Sequence, residues 1–148
     1  GKIIGNGPVN EMLTRFDMPM ARSSEAISIF DAKVINRDPE FSLMYLEFSG
    51  GQFVVPDNGM SIESLVRIRV AARDVSITKK KQTDTSILNI FPAVVEEMVP
   101  EGDAQVMVRL TLKGVVLLAC LTRKSASSLK LDQGLSVFIQ VKSVAILS

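Results

Sequence analysis

The same order of alternating apolar residues occurs twice in this chain, and this repeat constrains the fold more than any other feature. The pattern Ile29-Phe30-x-Ala32-x-Val34 returns as Ile90-Phe91-x-Ala93-x-Val95, Val66-x-Ile68-x-Val70 returns as Val137-x-Ile139-x-Val141, and Val75-x-Ile77 returns as Val144-x-Ile146. An apolar residue at every second position is typical of a strand with one buried face. The sequence therefore predicts two copies of one β-structure in tandem.

Glycine-rich turns divide the apolar segments into short strands. Gly50-Gly51, Lys113-Gly114 and Gln133-Gly134 each lie between two such segments, as in antiparallel hairpins. Five or six antiparallel strands per copy fit a closed barrel of the oligonucleotide-binding (OB) type, and closure removes exposed sheet edges. The predicted fold is all-β, with two tandem OB-like antiparallel β-barrel subdomains. Spacing differs slightly between the copies, which predicts a small insertion in the second, near residues 123–128.

The first residues of the chain follow a different pattern. Apolar residues recur there at helical spacing after a proline: Pro8, Val9, Met12, Leu13 and Phe16. This pattern predicts a short helix over residues 8–15. The predicted organisation is then residues 1–25 as helix and linker, 26–80 as the first barrel and 81–148 as the second.

The composition argues against catalysis. Among 148 residues with a net charge of +1 there is no His and a single Cys. The commonest general base and metal ligand is therefore missing, and Cys120 has no partner for an internal disulfide, which fits a cytosolic setting. Neither a phosphate-binding loop nor a nucleophile elbow occurs. We predict no catalytic residue and no metal site.

Nucleic-acid binding is common among OB-like barrels, but this sequence offers little for it. Such binding needs aromatic platforms for base stacking and clustered positive charge for the backbone. The chain has no Trp and one Tyr, and its Phe residues follow core spacing. The favourable features are Lys79-Lys80-Lys81 with Arg67, Arg69 and Arg73. We predict no nucleic-acid partner.

Small hydroxyl side chains gather at strand ends in the second half. They are Thr85, Ser86, Thr122 and Ser125, and Lys142-Ser143 interrupts the last apolar run. Neutral donors with one lysine suit a small dianion. The same residues also fit a structural interpretation, in which Ser86 begins a strand, Ser125 caps a helical turn and Lys142 is solvated. The residues alone leave both interpretations open.

The order of these segments resembles the molybdate-binding module of molbindins, of a molybdate-responsive transcription regulator and of the molybdate-transporter ATPase subunit. The resemblance is carried by Thr85-Ser86-Ile87-Leu88-Asn89, Ala119-Cys120-Leu121-Thr122, Ser125, Gly134 and Val141-Lys142-Ser143-Val144. In the first half, Arg67-Ile68-Arg69-Val70 and Ala72-Arg73-Asp74-Val75-Ser76-Ile77 are similar to an accessory β-subdomain of that subunit. Gly1-Lys2-Ile3-Ile4 and Gly7-Pro8 resemble the tail of an ABC ATPase domain.

This resemblance implies the C-terminal regulatory (TOBE/MOP-type) region of an importer's ATP-binding subunit, which binds molybdate or tungstate and modulates transport. The implied partners are that oxyanion, a second copy in a homodimer, an ABC ATPase domain in the same chain and the transporter's membrane subunits. ATP and Mg belong only to the ATPase domain outside this segment, and the region lies peripherally on the cytoplasmic face of the inner membrane. The oxyanion-binding residues carried over from the family are Ser86, Thr122, Ser125, Lys142 and Ser143.

One position departs from the family's pattern. Leu88 stands where the motif has an arginine, so a planar bidentate donor is missing. The site is then weaker, recruits Arg123 or Lys124 from the neighbouring loop, or is lost. The alternative function is a ligand-free ancillary domain that serves as a dimer contact or a docking surface.

Overall fold

The structure is a computed structural model and describes residues 26–147. Ten strands, one α-helix and one 3-10 turn lie in this range. They are β1 Ile27–Asp38, β2 Leu43–Phe48, β3 Gly51–Pro56, β4 Leu65–Ala71, the 3-10 turn Ala72–Asp74, β5 Val75–Thr78, β6 Asn89–Glu101, β7 Gln105–Leu112, β8 Val115–Thr122, α1 Arg123–Leu129, β9 Ser136–Val141 and β10 Ala145–Leu147. The helix predicted over residues 8–15 and its linker lie outside the described residues.

The strands form two antiparallel sheets of five strands each. The first sheet has the order β10-β4-β1-β2-β3 and the second has the order β5-β9-β6-β7-β8. The long strand of each sheet pairs with two neighbours, β1 with β4 and β2 and β6 with β9 and β7. In the second sheet the outer strands β5 and β8 also contact each other, so that this sheet curls towards a closed barrel. The predicted all-β, OB-like fold is confirmed.

The two sheets exchange their last strands. β5 precedes residue 80 in the chain, yet it pairs with β9 of the second sheet, where Ile77 faces Ile139. In return β10 leaves the second half and pairs with β4 of the first sheet, where Ile146 faces Ile68. Each sheet therefore takes its fifth strand from the other half of the chain. The domain boundary between residues 80 and 81 stays a prediction, but neither sheet is built from one side of it alone.

The long strands bend at equivalent points of the repeat. The pairing of β1 with β2 shifts register between Val34 and Asn36, and the pairing of β6 with β7 shifts between Val95 and Glu97. Val34 and Val95 end the matching apolar patterns of the two copies. A bulge adds an unpaired residue and bends the strand, which lets one long strand serve two neighbours in each sheet.

The second copy carries its extra residues where the sequence predicted the insertion. The connection between β8 and β9 covers residues 123–135, whereas the connection between β3 and β4 covers only residues 57–64. The longer connection contains α1, which ends at Lys130 in a left-handed conformation with φ of 54°.

One hydrophobic core spans both sheets. Phe48 and Phe53 of the first sheet pack on Phe91 of the second, with ring centroids 5.3 and 4.9 Å apart. Aromatic pairs at these separations add to the free energy of area burial. A smaller cluster, in which Ala72 packs with Leu118, seals the contact between β8 and the 3-10 turn. The two halves therefore share their core.

Two buried polar side chains also join the halves, at equivalent positions of the repeat. The side-chain carbonyl of Asn89 accepts from the Val54 N–H at 2.7 Å, and its amide donates to the Val54 carbonyl at 3.1 Å. Ser28, which holds the same place in the first copy, accepts from the Leu118 N–H at 3.3 Å. Asn89 thus reaches β3 of the first sheet, and Ser28 reaches β8 of the second. Asn89, the last residue of the segment that begins at Thr85, thus has a structural role.

Candidate functional site

Thr122 and Ser125 lie together at the start of α1. Thr122 is the N-cap residue in extended conformation, and its hydroxyl oxygen accepts from the Ser125 N–H at 3.0 Å. The Thr122 hydroxyl also donates to the Ser125 hydroxyl at 3.0 Å. Both residues are exposed. In the structural interpretation of the sequence Ser125 was expected to cap the helix, but the cap is Thr122. Thr122 is the last residue outside the helix, and its oxygen accepts from the Ser125 N–H in the first turn.

Lys142 and Ser143 lie in the connection between β9 and β10. The backbone N–H of Lys142 donates to the Asp74 carbonyl at 2.9 Å, and the Ser143 hydroxyl donates to the Asp74 carboxylate at 3.2 Å. Asp74 belongs to the connection between β4 and β5, so the two connections that exchange strands meet here. This carboxylate repels an anion and occupies the Ser143 hydroxyl.

Ser86 lies in the exposed loop that leads into β6. Asn89 pairs with Val141, so this loop reaches the second sheet at the end from which Lys142 leaves it. Leu88 is 64% exposed in the same loop. Ser86 and Leu88 therefore share one end of the second sheet with Lys142.

The five predicted site residues form two groups. Thr122 pairs with Gln105, which in turn pairs with Glu101 at the far end of β6 from Asn89. Within residues 26–147 no hydrogen bond joins Thr122 or Ser125 to the other three predicted residues. We call Thr122 with Ser125 the cap group, and Ser86 with Lys142 and Ser143 the crossing group.

The two cations suggested as substitutes for the missing arginine lie beside the cap group. Arg123 and Lys124 form the first turn of α1, and the Arg123 guanidinium donates to the Asp103 carbonyl at 2.8 Å. Both residues follow Thr122, at the end of β6 opposite Asn89. Within one copy of the chain they therefore do not replace the arginine that the family's motif has where this chain has Leu88.

A groove of about 430 Å³ lies beside the crossing group. Its lining includes Arg69 of β4, Arg73 and Asp74 of the 3-10 turn, and Ser143. Of these charged residues in the lining, two are cationic and one is anionic. In the sequence both arginines count among the features that favour nucleic acid and in the resemblance to an accessory β-subdomain. Nothing local connects them to Ser143 in the other half of the chain.

Metal clusters and membrane-spanning helices are both absent from the part of the chain that the structure describes. In residues 26–147 no group of three or more His, Cys, Asp or Glu side chains is placed to hold a metal ion. Over the same range no helix has the length and apolar character of a membrane span.

Comparisons with known proteins agree with this fold. Residues 85–147 match the model of the TOBE domain family. A solved structure of the cytoplasmic molybdate-binding protein ModG, with molybdate bound, shares the fold with a TM-score of 0.70. The match covers 81% of this chain and 94% of that chain at 19% sequence identity, so it bears on the fold alone.

Over nearly its full length the chain is also similar to the molybdenum import ATP-binding protein ModC. It is 44% identical to that protein of Albidiferax ferrireducens and 40% identical to that of Thiobacillus denitrificans, each over 99% of this chain. The chain spans 40% and 41% of the length of these relatives. The resemblance to the molybdate-transporter ATPase subunit, stated from the sequence, is confirmed.

Proposed function

We propose that this chain is the regulatory region of a molybdenum importer's ATP-binding subunit, and that it binds molybdate or tungstate. The observation that carries the proposal is the similarity to ModC through the whole chain, combined with exposed hydroxyl groups and a lysine on the TOBE domain. The fold is one that a molybdate-binding protein also has, so it is compatible with this ligand. This region has no reaction of its own.

The proposed oxyanion ligands are Ser86, Lys142 and Ser143 of the crossing group and Thr122 and Ser125 of the cap group. Hydroxyl groups donate hydrogen bonds without fixed charge, and Lys142 provides a charge-assisted bond to the dianion. The two groups lie at opposite ends of β6. We therefore assign the complete site to a homodimer, in which the cap group of one copy completes the crossing group of the other.

In the whole subunit, an ABC ATPase domain outside this chain holds ATP and Mg and works with the transporter's membrane subunits. The region described here lies on the cytoplasmic face of the inner membrane. An anion that binds one arrangement of the dimer more tightly shifts the population towards that arrangement. Cytoplasmic molybdate thereby modulates its own import.

Isothermal titration calorimetry of the chain with molybdate, and with sulfate as the competing anion, tests the proposal. We expect heat with molybdate and none with sulfate. Lys142→Ala removes a charge-assisted bond of about 1.5–3 kcal/mol, which corresponds to roughly 10- to 100-fold weaker binding. Lys81→Ala, which removes an exposed lysine from the loop before β6, is the matched control. The absence of heat with either anion at millimolar concentration would contradict the proposal.

Two observations favour the second candidate, a ligand-free ancillary domain. The Ser143 hydroxyl is bonded to the Asp74 carboxylate, and an apolar residue stands at position 88. Both features reduce the attraction of the crossing group for a dianion. A stable dimer that shows neither heat nor thermal stabilisation with molybdate is the result that this candidate requires.

A further inference from the structure

We infer that the groove beside Ser143 is itself an oxyanion site, in which Arg69 and Arg73 provide the cationic donors that position 88 lacks. The inference rests on the proposed function for its ligand class, a tetrahedral oxyanion such as molybdate. It assigns two site residues, Arg69 and Arg73, that lie in the first half of the chain, outside the family's molybdate-binding motif in the second half.

The walls of the groove are held by paired backbone. Arg69 lies within β4 and pairs with Ala145 of β10, so a strand from each half of the chain forms one wall. Arg73 belongs to the 3-10 turn, which is fixed at both ends. The Ala72 N–H donates to the Ala26 carbonyl, and the Lys142 N–H donates to the Asp74 carbonyl, each at 2.9 Å. The strand exchange therefore brings arginines of the first half next to Ser143.

The chemistry of the lining suits an oxyanion. A guanidinium is planar and presents paired N–H groups that match two oxygens of one anion. The Ser143 hydroxyl adds a second kind of donor to the same lining. The volume of about 430 Å³ is many times the roughly 30 Å³ share of one water molecule, so a five-atom anion fits with part of its hydration shell.

Asp74 decides how strongly such an anion is held. Its carboxylate lies in the groove and accepts from the Ser143 hydroxyl, so that hydroxyl must turn from Asp74 to the ligand. Two cationic residues, Arg69 and Arg73, share the lining with this one carboxylate. Replacement of Asp74 by asparagine therefore strengthens binding.

The internal repeat supports the assignment independently. Arg73 lies two residues before Val75, and Lys142 lies two residues before Val144, at the matching point of the second copy. Each connection that exchanges a strand thus carries a cation at the same place. The family's lysine position has an arginine counterpart in the first half, and that counterpart lines the groove.

Calorimetry of the whole chain with molybdate tests the inference. We expect Arg69→Ala and Arg73→Ala each to weaken binding by about tenfold or more, as for the loss of a charge-assisted bond. Asp74→Asn is expected to strengthen it. Arg67→Ala is the matched control, because it removes the same charge from the same face of β4, two residues away and outside the lining of the groove. Thermal unfolding without ligand shows that each variant is folded.

The outcomes separate this inference from the proposed function. If Lys142→Ala weakens binding and both groove variants bind as the wild type does, the groove is not a site and the proposed function stands. If Arg67→Ala weakens binding as much as Arg69→Ala, the effect is general charge and the groove assignment is overturned. If the wild type gives no heat with molybdate, the proposed function and this inference are both overturned.

Discussion

The side chain of Asn89 bonds both backbone groups of Val54, with its carbonyl oxygen 2.7 Å from the Val54 nitrogen and its amide nitrogen 3.1 Å from the Val54 oxygen. Asn89 begins β6 and Val54 lies in β3, so one side chain joins the outer strand of the first sheet to the long strand of the second. An amide has the donor and acceptor of a peptide group, and here it serves as one more rung of a β-ladder.

Asn89→Ala removes this rung and with it the side-chain partner of both Val54 backbone groups. The expected loss is about 1–3 kcal/mol in the free energy of unfolding, which is typical when a buried polar group is left unsatisfied. Equilibrium unfolding in urea measures it. Ser28→Ala is the matched control at the equivalent position, because Ser28 accepts one longer bond of 3.3 Å and its loss is expected to be smaller. Equal stability of Asn89→Ala and wild type would show that water replaces the amide.

The strand exchange predicts how the chain can be cut. A fragment of residues 72–148 keeps β5 and hence all five strands of the second sheet, whereas residues 81–148 lack β5. The shorter fragment loses the burial of Val75 and Ile77, which are 3% and 7% exposed, at about 1.5–3 kcal/mol for each side chain. Circular dichroism during heating should show a cooperative transition for the longer fragment at a higher temperature. Identical melting of both would contradict the contribution of β5.

The Arg37–Asp57 pair predicts a local response to acid. The Arg37 guanidinium donates to the Asp57 carboxylate at 2.8 and 3.2 Å and also to the Met60 carbonyl. The bond from Arg37, and then the Gly59 N–H, lower the pKa of Asp57 below its ordinary value. The stabilisation is therefore fully present above about pH 4, the ordinary range of Asp, and is lost as the pH falls through the lowered pKa.

Arg37→Gln should raise the titration midpoint of Asp57, as followed by the NMR shift of its carboxyl carbon. Arg67→Gln is the control, because Arg67 is bridged to Asp31 rather than to Asp57. That bridge is long, at 3.8 Å, and lies among exposed side chains. The Asp57 titration should therefore not change in this variant. An Asp57 midpoint that is the same with and without Arg37 would rule out the ion pair as the cause.

Leu88→Arg restores the residue that the family's motif carries beside Ser86. Leu88 is 64% exposed, so we expect little change in stability. A guanidinium at this end of the second sheet should strengthen molybdate binding by about tenfold or more, as one added charge-assisted hydrogen bond does. Calorimetry compares it with Leu88→Gln, which has a polar side chain without charge. Equal affinities of the two variants would place position 88 outside the site.

The strands could be predicted from the sequence because alternation is a local property. The apolar positions at residues 66–70 and 137–141 predicted strands that the structure shows as Leu65–Ala71 and Ser136–Val141. Alternation says which side chains face the core, but it does not say which strand lies alongside. The exchange of β5 and β10 could therefore not be predicted from the sequence, because sheets with and without the exchange bury the same residues.

Less of the candidate site could be predicted from the sequence, because local patterns do not show which distant segments meet. Thr122 and Ser125 lie within one helical turn of each other, so their contact follows from local spacing. Asp74 and Ser143 belong to different halves of the chain and meet only because two connections cross. A pattern of hydroxyl groups thus located possible donors, but it gave no sign of the carboxylate and arginines beside them.

The exchanged strands also set an order in which the molecule can be completed during synthesis. Domains generally fold from the N-terminus as they leave the ribosome, yet the first sheet lacks its edge strand until residues 145–147 have been made. In contrast, β5 of the second sheet has already been synthesised when translation of β6 begins. The first sheet therefore begins to form first but is completed last. Until β10 has been synthesised, the outer edge of β4 is unpaired and must be kept from pairing with other chains.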